Sequence, residues 1–412
     1  MIKNKLFYNT FMLYLLTFSN YIFGFITIPY QTRILGPEIY GKIGFAVAFT
    51  TYFQMILDFG FILSATEDVA KNKDNKSEIS KIFTSVLVCK FLLIITNAVI
   101  LIIICLSIPL LREDIVLFIL YYIYIAVNSL LPDYIYRGLE KMQMITYRTI
   151  LIKLFFTIMI FLFLKNASQY YCIPLLNIIG STIAVVSIYT HMAIKLKIKI
   201  KKVSRLEIWN VFKKSSYYFY SRIATTVYTA TNTFLLGLIY PSGIEVGYFT
   251  SAEKLVSTAR SGFSPIADSL YPYMIKNKDY KLLKKIFKII MPIVILGCMI
   301  MYFFAEEICI IVFGIEFKGV GSILRLLIPL IAMALPNYLL GFPILSPLGL
   351  SKYANISTIV GAVIHMVGLL LLSMSGVLNL YTVCILTCIT EASVLIIRVG
   401  VVFRSKKANK SL

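Results

Sequence analysis

Four cations lie deep inside long apolar stretches of the sequence. They are Lys90, Lys153, Arg222 and Arg260, and Arg222 lies about eight residues, or roughly 12 Å of helix, from the nearest end of its stretch. A charge among apolar side chains is costly unless it meets a partner or a ligand of opposite sign. The similar depth of the four cations therefore predicts a binding site for an anion. The alternative is that their long stems reach back to water.

Neutral polar side chains recur at helical spacing in the first and seventh apolar stretches. Residues three, four and seven apart share one face of a helix, so each set forms a single polar stripe. A stripe of this kind is expected to face a polar cavity or another stripe. Helix packing through hydroxyl side chains is the other interpretation. The members that could hydrogen-bond a hydroxylated ligand are Asn20, Thr27, Gln31, Thr226, Thr229 and Thr233.

Three carboxylates, Asp58, Glu253 and Asp268, lie on or beside similar stripes in the second and eighth stretches. A carboxylate in apolar surroundings is a candidate for binding and releasing a coupling ion. Neutralisation of Arg260 or Lys254 explains these carboxylates equally well. Because charged residues accompany the stripes, we predict a polar cavity lined by the first, second, seventh and eighth stretches.

The remaining buried ionisable residues are expected to serve the structure. Asp133 and Arg137 are four residues apart, which predicts an ion pair along one helix. His365 is expected to be a packing histidine with satisfied hydrogen bonds rather than a proton relay. Glu391 could be the partner of His365 or of Arg398, and the sequence leaves both open.

The seven cysteines do not indicate a metal or redox site. They lie in or beside apolar stretches, and no two of them form a CxxC pair. Cys384 and Cys388 share a helix face but lack His or carboxylate neighbours at metal-binding spacing. Neither GxxxxGKS nor GxxxxGKT, the motifs that cradle nucleotide phosphates, occurs. We therefore expect no metal and no cofactor.

Twelve apolar segments make up most of the 412 residues, and each reaches the roughly 20 residues that a helix needs to cross a bilayer. Charged residues are 14% of the chain and hydrophobic residues 59%, whereas a soluble domain carries about 25% charged residues. These features predict an all-α polytopic membrane protein with twelve transmembrane helices. The segments are 8–31, 39–64, 82–107, 115–138, 143–164, 169–194, 215–239, 245–274, 286–305, 320–346, 353–374 and 379–403.

Lys and Arg are concentrated in every second gap between these segments. One set of gaps, with the two termini, holds 28 of the 40 cations, and the other set holds four. Cations favour the cytoplasmic side, so both termini are predicted to be cytoplasmic. The net charge of +21 follows from this arrangement and predicts contact with anionic membrane lipids. Nucleic-acid binding is not expected, because the basic runs are short and lie beside apolar segments.

The longest cytoplasmic connection, 195–214, leaves six segments on each side. An even number gives both groups the same orientation, as parallel repeats require. A gap-free shift of 206 residues places Gly41 on Gly247 and aligns several polar positions. We therefore predict a six-helix lobe at 1–194, a basic linker, and a pseudo-symmetric six-helix lobe at 215–412, arranged around a central cavity.

The connection between the first two segments contains residues with clear physical roles. Gly36 and Pro37 favour a turn outside the membrane. Glu38 suits the positive end of the next helix dipole, and Gly41 permits another helix to approach closely. These residues characterise a fold rather than a ligand.

Five short stretches stand out by their order and spacing: 33–41 (ArgIleLeuGlyProGluIleTyrGly), 58–60 (AspPheGly), 131–140 (LeuProAspTyrIleTyrArgGlyLeuGlu), 245–254 (GluValGlyTyrPheThrSerAlaGluLys) and 347–352 (ProLeuGlyLeuSerLys). Together they resemble the polysaccharide flippases of the Wzx type. This family belongs to the multidrug/oligosaccharidyl-lipid/polysaccharide (MOP) exporter superfamily. The resemblance extends over the whole chain, including the number of segments and the midpoint break.

The resemblance implies a transporter for a lipid-linked oligosaccharide in the bacterial inner membrane. The cargo would be a polyisoprenyl-pyrophosphate repeat unit of O antigen or capsule. The four buried cations would then contact the pyrophosphate, and the six neutral polar side chains would contact the sugars. Two lobes would rock to give alternating access, with the three carboxylates as candidates for ion coupling. Other polysaccharide assembly proteins are possible partners.

Two other functions stay open. A multidrug exporter of the same superfamily would move organic cations and would place carboxylates rather than arginines in its cavity. A membrane polysaccharide polymerase or glycosyltransferase would need an active site on the outer face. The longest outer gap, roughly 306–319, is thin for catalysis, so a transporter is the favoured prediction.

Overall fold

The computed structural model describes residues 2–409, and their side chains except at 2–10, 13, 220–222, 224–229, 272 and 406–409. Regular structure within this range is helical, and the range contains no β-strand. A helix satisfies its own backbone hydrogen bonds in lipid, whereas a lone strand does not. The α-helices are α1 (Ile2–Asp58), α2 (Phe61–Lys71), α3 (Lys76–Ser107), α4 (Pro109–Glu113), α5 (Ile115–Ser129), α6 (Asp133–Gly138), α7 (Met142–Phe163), α8 (Cys172–His191), α9 (Arg205–Ile239), α10 (Ile244–Ser261), α11 (Ser264–Asn277), α12 (Tyr280–Phe303), α13 (Ala305–Phe313), α14 (Val320–Leu340), α15 (Phe342–Leu345), α16 (Ser351–Met374) and α17 (Leu380–Asn409).

Helices lie at each of the twelve predicted segments. Among the described residues, nine helical stretches are long and apolar enough to cross a membrane. The prediction of an all-α polytopic membrane protein is confirmed. The count of twelve spans and the central cavity remain predictions.

The first helix contains two of the predicted segments. α1 has 57 residues, which is roughly 85 Å of helix and far exceeds a hydrocarbon core of about 30 Å. Its backbone leaves the helical conformation at Gly36, with φ 66° and ψ 172°. Glycine suits this position because a side chain disfavours positive φ. The predicted turn at Gly36 and Pro37 is therefore present as a break within α1.

The chain forms two compact units. Unit 1 consists of Met1–Leu35 and Ile43–Thr226, and unit 2 consists of Gly36–Lys42 and Val227–Leu412. The linker and the first half of α9 therefore belong to unit 1. The division into lobes at 195–214 stays a prediction.

Unit 1 is held by a large apolar cluster that joins α2, α3, α6 and α9. Phe59 stacks on Phe212 and Phe219, with ring centroids 4.4 and 4.8 Å apart. Ser64 and Ser215 share a hydrogen bond of 2.7 Å between buried hydroxyls. These contacts fix the start of α9 against α2.

Unit 2 is built around α14, which packs against α10, α12, α13 and α17. Buried leucines along this helix, such as Leu324, Leu327 and Leu335, fill the spaces between these neighbours. Apolar groups on several sides fit a helix that is surrounded by protein. α14 therefore carries the centre of unit 2.

Two glycines bring the 36–42 turn into backbone contact with α10. A Cβ added at Gly41 would lie 1.8 Å from the carbonyl oxygen of Gly243, and one added at Gly247 would lie 2.0 Å from that of Pro37. Neither position has room for a methyl group, because the opposing atoms are backbone. The interpretation of Gly41 as a site of close helix approach is confirmed.

Candidate functional site

Arg260 lies where the predicted segment 245–274 breaks into two helices. α10 ends at Ser261, and α11 begins at Ser264 with Pro265 in its first turn. A proline there has no amide hydrogen to continue the preceding helix, which explains the break. A cation in the last turn of α10 also suits the negative end of the helix dipole.

Glu391 of α17 is the partner of Arg260. Arg260 Nη2 donates to Glu391 Oε1 over 2.6 Å, and Asn337 Nδ2 of α14 donates to Glu391 Oε2 over 3.0 Å. The Arg260 side chain is 26% exposed and that of Glu391 is 12% exposed. The pair offsets most of the cost of placing two charges in unit 2.

Arg398 serves a different purpose in the same unit. Its Nη1 donates to the Asn337 carbonyl oxygen over 2.6 Å, and its Nε donates to the Ser357 hydroxyl over 2.9 Å. These bonds satisfy the carbonyl near the end of α14 and tie α17 to α14 and α16. The sequence suggested His365 or Arg398 as the partner of Glu391, but the ion pair of Glu391 is with Arg260.

His365 is a fully buried residue of α16 with hydrogen bonds to two other helices. Its Nε2 donates to Asn232 Oδ1 of α9 over 2.8 Å, and its Nδ1 lies 3.0 Å from Thr390 Oγ1 of α17. Asn232 Nδ2 in turn donates to Thr387 Oγ1 over 3.0 Å. Both ring nitrogens have partners, as expected of a packing histidine with satisfied hydrogen bonds.

Three of the four predicted anion-binding cations, Lys90, Lys153 and Arg222, lie in unit 1. Lys90 of α3 is buried and donates to the carbonyl oxygen of Ser129. The carboxylates of Asp58 and Asp133 are close enough to act on its charge. Lys153 is half-buried in α7. Asp58, one of the candidate coupling carboxylates, ends α1.

The predicted ion pair of Asp133 with Arg137 is wrong. Arg148 of α7 takes this place, with Nη1 2.5 Å from Asp133 Oδ1 and Nη2 3.1 Å from Oδ2. α6 has only six residues. The carboxylate at its start pairs with α7 and not with a side chain one turn later in α6. Arg137 Nε is buried without a hydrogen-bond partner among the described atoms.

The neutral polar candidates divide between the units. In unit 1, Thr27 is buried and its hydroxyl donates to the Phe23 carbonyl over 2.8 Å. Gln31 is also buried, whereas Asn20 is exposed. In unit 2, Thr233 is buried. The side chains of the two remaining neutral candidates, Thr226 and Thr229, lie outside the described ones, as does that of the cation Arg222.

The other two candidate coupling carboxylates lie in unit 2. Glu253 is half-buried in α10, where the charges of Lys254 and Arg260 act on it. Asp268 is exposed on α11 and accepts a hydrogen bond of 3.0 Å from the Ser264 hydroxyl. Among the described side chains, no three metal-binding groups come together.

Sequence reasoning missed one residue of the Arg260 site. Asn337 orients Glu391, yet it was not singled out. Its signal was available, since an amide next to Pro336 in an otherwise apolar helix is unusual.

The long apolar helices define a multi-span membrane protein. An inward-facing multidrug resistance MATE family transporter of the MOP superfamily superimposes with a TM-score of 0.71 and 15% identity, covering 94% of this chain and 96% of the other. The lipid II flippase MurJ in an inward closed conformation superimposes with a TM-score of 0.72 and 14% identity, covering 95% and 87%. At these identities the likeness establishes the fold.

The sequence identifies the family. The model of the family described as polysaccharide biosynthesis protein matches residues 6–278, and the chain therefore belongs to this family. A protein named "Putative O-antigen transporter" in Shigella dysenteriae is 29% identical over 372 residues, covering 87% of this chain and 90% of the relative. One of the same name in Escherichia coli (strain K12) is 30% identical over 259 residues, covering 62% and 61%. The resemblance to polysaccharide flippases is thus confirmed.

Proposed function

We propose that this chain is a flippase that moves a polyisoprenyl-pyrophosphate-linked oligosaccharide, a repeat unit of O antigen or capsule, across the bacterial inner membrane. It is a transporter and not an enzyme. The family, the names of the relatives and the flippase fold support this proposal. The observation that carries it is Arg260, an arginine with a partly exposed side chain at a helix break inside unit 2.

Arg260 suits a pyrophosphate because a guanidinium can bind two phosphate oxygens with parallel hydrogen bonds. Glu391 balances its charge while the site is empty, and an incoming anion would compete with the carboxylate. Helix breaks at membrane depth occur in transporters where the chain contacts cargo. Lys90, Lys153 and Arg222 are the further cations that we assign to the pyrophosphate path.

The sugars need hydroxyl and amide partners. We assign them to the polar stripes of α1 and α9, namely Asn20, Thr27, Gln31, Thr226, Thr229 and Thr233. Thr27 still has acceptor capacity while its proton bonds Phe23. The prenyl tail would remain in lipid while the head group crosses.

Energy for transport would come from an ion gradient or from consumption of the cargo downstream. Asp58, Glu253 and Asp268 are our candidates for ion coupling, and alternating access of two lobes is the proposed mechanism. Flipping of the lipid-linked sugar in proteoliposomes, with and without a pH or sodium gradient, tests the coupling. A rate unaffected by either gradient and by Asp58→Asn or Glu253→Gln would leave transport without ion coupling.

The proposed topology places both termini on the cytoplasmic side. The basic cytoplasmic gaps would contact anionic lipids, and other polysaccharide assembly proteins would receive or supply the cargo. Single cysteines at Ser204 and Asn277 should be shielded from a membrane-impermeant thiol reagent in intact cells, and cysteines at Ser242 and Ser375 should react. Labelling of the first two would contradict the topology.

The role of Arg260 is tested in cells that depend on this chain for surface glycan. Arg260→Ala should abolish most of the glycan with protein level near normal, and Arg260→Lys should retain more, because it keeps the charge but loses the bidentate geometry. Lys276→Ala is the control, since it removes an exposed cation from the neighbouring helix α11. Normal export by Arg260→Ala would refute the proposed site, and efflux of organic cations by the purified chain would favour the multidrug exporter.

A further inference from the structure

One surface of unit 1 combines cations with large apolar side chains along residues 194–209, which we call the basic strip. Ile194, Ile200, Leu206 and Trp209 each expose more than half of their surface. Exposed apolar groups of this size mark a place where protein or lipid binds. The exposed cations of the strip are Lys195, Lys197, Lys199, Lys201, Lys202 and Arg205.

The first half of the strip is held in place by α3. The Lys199 amide donates to the Ser80 hydroxyl over 3.3 Å, and the Lys201 amide donates to the Thr84 hydroxyl over 3.0 Å. Ile198, directly before Lys199, is buried in the apolar cluster of unit 1. These contacts hold the backbone of the strip against α3, and the cationic side chains remain exposed along it.

The second half of the strip is the start of α9. This helix has 35 residues, which is roughly 52 Å, so its first turns extend beyond a hydrocarbon core of about 30 Å. Leu206, Trp209, Lys213 and Tyr217 follow each other by three or four residues and are all exposed. They form one face that joins aromatic, apolar and cationic groups, as is typical of the membrane interface.

The negative charge within the strip is already engaged. Glu207 accepts a hydrogen bond of 2.6 Å from the Ser204 amide and lies 3.5 Å from Lys81 Nζ. The bonds from Ser204 and the charge of Lys81 lower the pKa of the Glu207 carboxyl. Glu207 therefore caps α9 and leaves the exposed cations to an external anion.

We propose that the basic strip binds the phosphate head groups of anionic phospholipids, with Ile200, Leu206 and Trp209 inserted beside the upper acyl chains. This inference rests on the proposed cytoplasmic, membrane-surface position of 195–214 and not on the cargo. A lipid supplies both chemistries at once, since its phosphate meets the cations and its chains cover the apolar groups. A soluble acidic partner would meet only the cations.

Trp209 reports on this surface directly, because it is the only tryptophan of the chain. The full chain is reconstituted in vesicles of one phosphatidylglycerol-to-phosphatidylcholine ratio. Bromine quenchers are placed either on the phosphatidylglycerol or on an equal amount of phosphatidylcholine. Brominated phosphatidylglycerol should quench Trp209 fluorescence about twofold more strongly at low salt, and the excess should shrink at high salt because the attraction is electrostatic.

Matched charge variants locate the effect. Replacement of Lys197, Lys199 and Lys202 by Gln should remove the excess quenching by phosphatidylglycerol. The same replacement at Lys281, Lys284 and Lys288, an exposed basic run of unit 2, should leave it unchanged. Equal quenching by both lipids would overturn the head-group preference, and no quenching by either would place Trp209 away from the membrane. Flipping by the same preparations is scored separately, so failure of the strip leaves the flippase proposal intact.

Discussion

The two compact units hold their buried ion pairs in different surroundings. In unit 1, Arg148 donates two hydrogen bonds to Asp133, and only 9% of its side chain is exposed. In unit 2, Arg260 contacts Glu391 and is 26% exposed. A closed bidentate pair fixes the position of two helices, whereas a partly open pair can exchange its carboxylate for another anion. From the exposure of the two arginines we propose a structural role for the first pair and cargo binding for the second.

The two histidines of the chain repeat the contrast in a different form. His191 of unit 1 is half-buried and has one described hydrogen bond, 2.8 Å to the Tyr136 hydroxyl. His365 of unit 2 is fully buried and bonds Asn232 and Thr390 on two other helices. Burial raises the cost of losing a hydrogen-bond partner. We therefore expect unit 2 to depend more on its histidine than unit 1 does.

In unit 2 these polar contacts converge on α17. This helix carries Thr390, which meets His365, Glu391, which meets Arg260, and Arg398, which caps α14. A ligand that displaces Glu391 from Arg260 therefore acts on a helix that is bound to four others. We infer that a ligand bound at the candidate site of unit 2 also changes how the helices of this unit pack.

The largest loss of stability is expected at an uncharged contact of unit 2, where the backbone of α10 touches that of the 36–42 turn. Gly247→Ala would place a methyl group 2.0 Å from the Pro37 carbonyl oxygen, so the backbone must move, at a cost of more than about 3 kcal/mol. Thermal unfolding of the purified protein measures this. The control is Gly297→Ala, whose methyl group would meet nothing within 4 Å and should stabilise α12 by about 0.5–1 kcal/mol. Equal behaviour of both variants would contradict the contact between the 36–42 turn and α10.

The next largest effect is expected at the closed pair of unit 1. Asp133→Ala leaves Arg148 without its carboxylate in a nearly buried position, which should cost about 3 kcal/mol. Protein level and unfolding temperature should fall together, and the transport rate per folded molecule should change little. Asp74→Ala, in the exposed loop before α3, is the control. A selective loss of transport in Asp133→Ala would mean that this pair also serves cargo.

The error at Asp133 indicates where sequence reasoning ends. Spacing along one helix suggested Arg137, because residues four apart are neighbours in an α-helix. The true partner, Arg148, comes from the next helix and is selected by lateral packing, which spacing does not encode. The partner of Glu391 was missed for the same reason. The apolar segments, the close approach at Gly41 and the packing role of His365 were predictable, because hydropathy, residue size and burial are properties of single positions.

Replacement of each histidine tests whether the stability of unit 2 depends more on its histidine than the stability of unit 1 does. His365→Leu leaves the buried Asn232 Oδ1 without its donor and should cost about 2 kcal/mol. His191→Leu removes one half-exposed hydrogen bond and should cost less than about 1 kcal/mol. The ratio of the two shifts in unfolding temperature is the measurement. Similar shifts would show that burial of the histidine does not distinguish the units.

The smallest loss of stability, with the largest loss of export, is expected at the open pair. Arg260→Gln and Glu391→Gln should each cost less than Asp133→Ala, because the Arg260 side chain is 26% exposed and water can replace part of its contact with Glu391. The double variant then gives a coupling energy of similar size. Arg260→Gln should nevertheless lose surface glycan, because an amide carries no charge for the pyrophosphate.

Glu391→Gln separates the two roles of the pair. If the carboxylate only balances Arg260, its loss leaves the guanidinium more available to an anion, and cargo binding should be retained or tightened. Release of the cargo would then become slower and export would fall. Export by Arg260→Gln falls for the opposite reason, because the cargo binds too weakly. A cost of about 3 kcal/mol for each single variant, recovered in the double variant, would make Arg260–Glu391 a structural pair like Asp133–Arg148. The contrast between the units would then disappear, and the pyrophosphate site would have to be sought at Lys90 or Arg222.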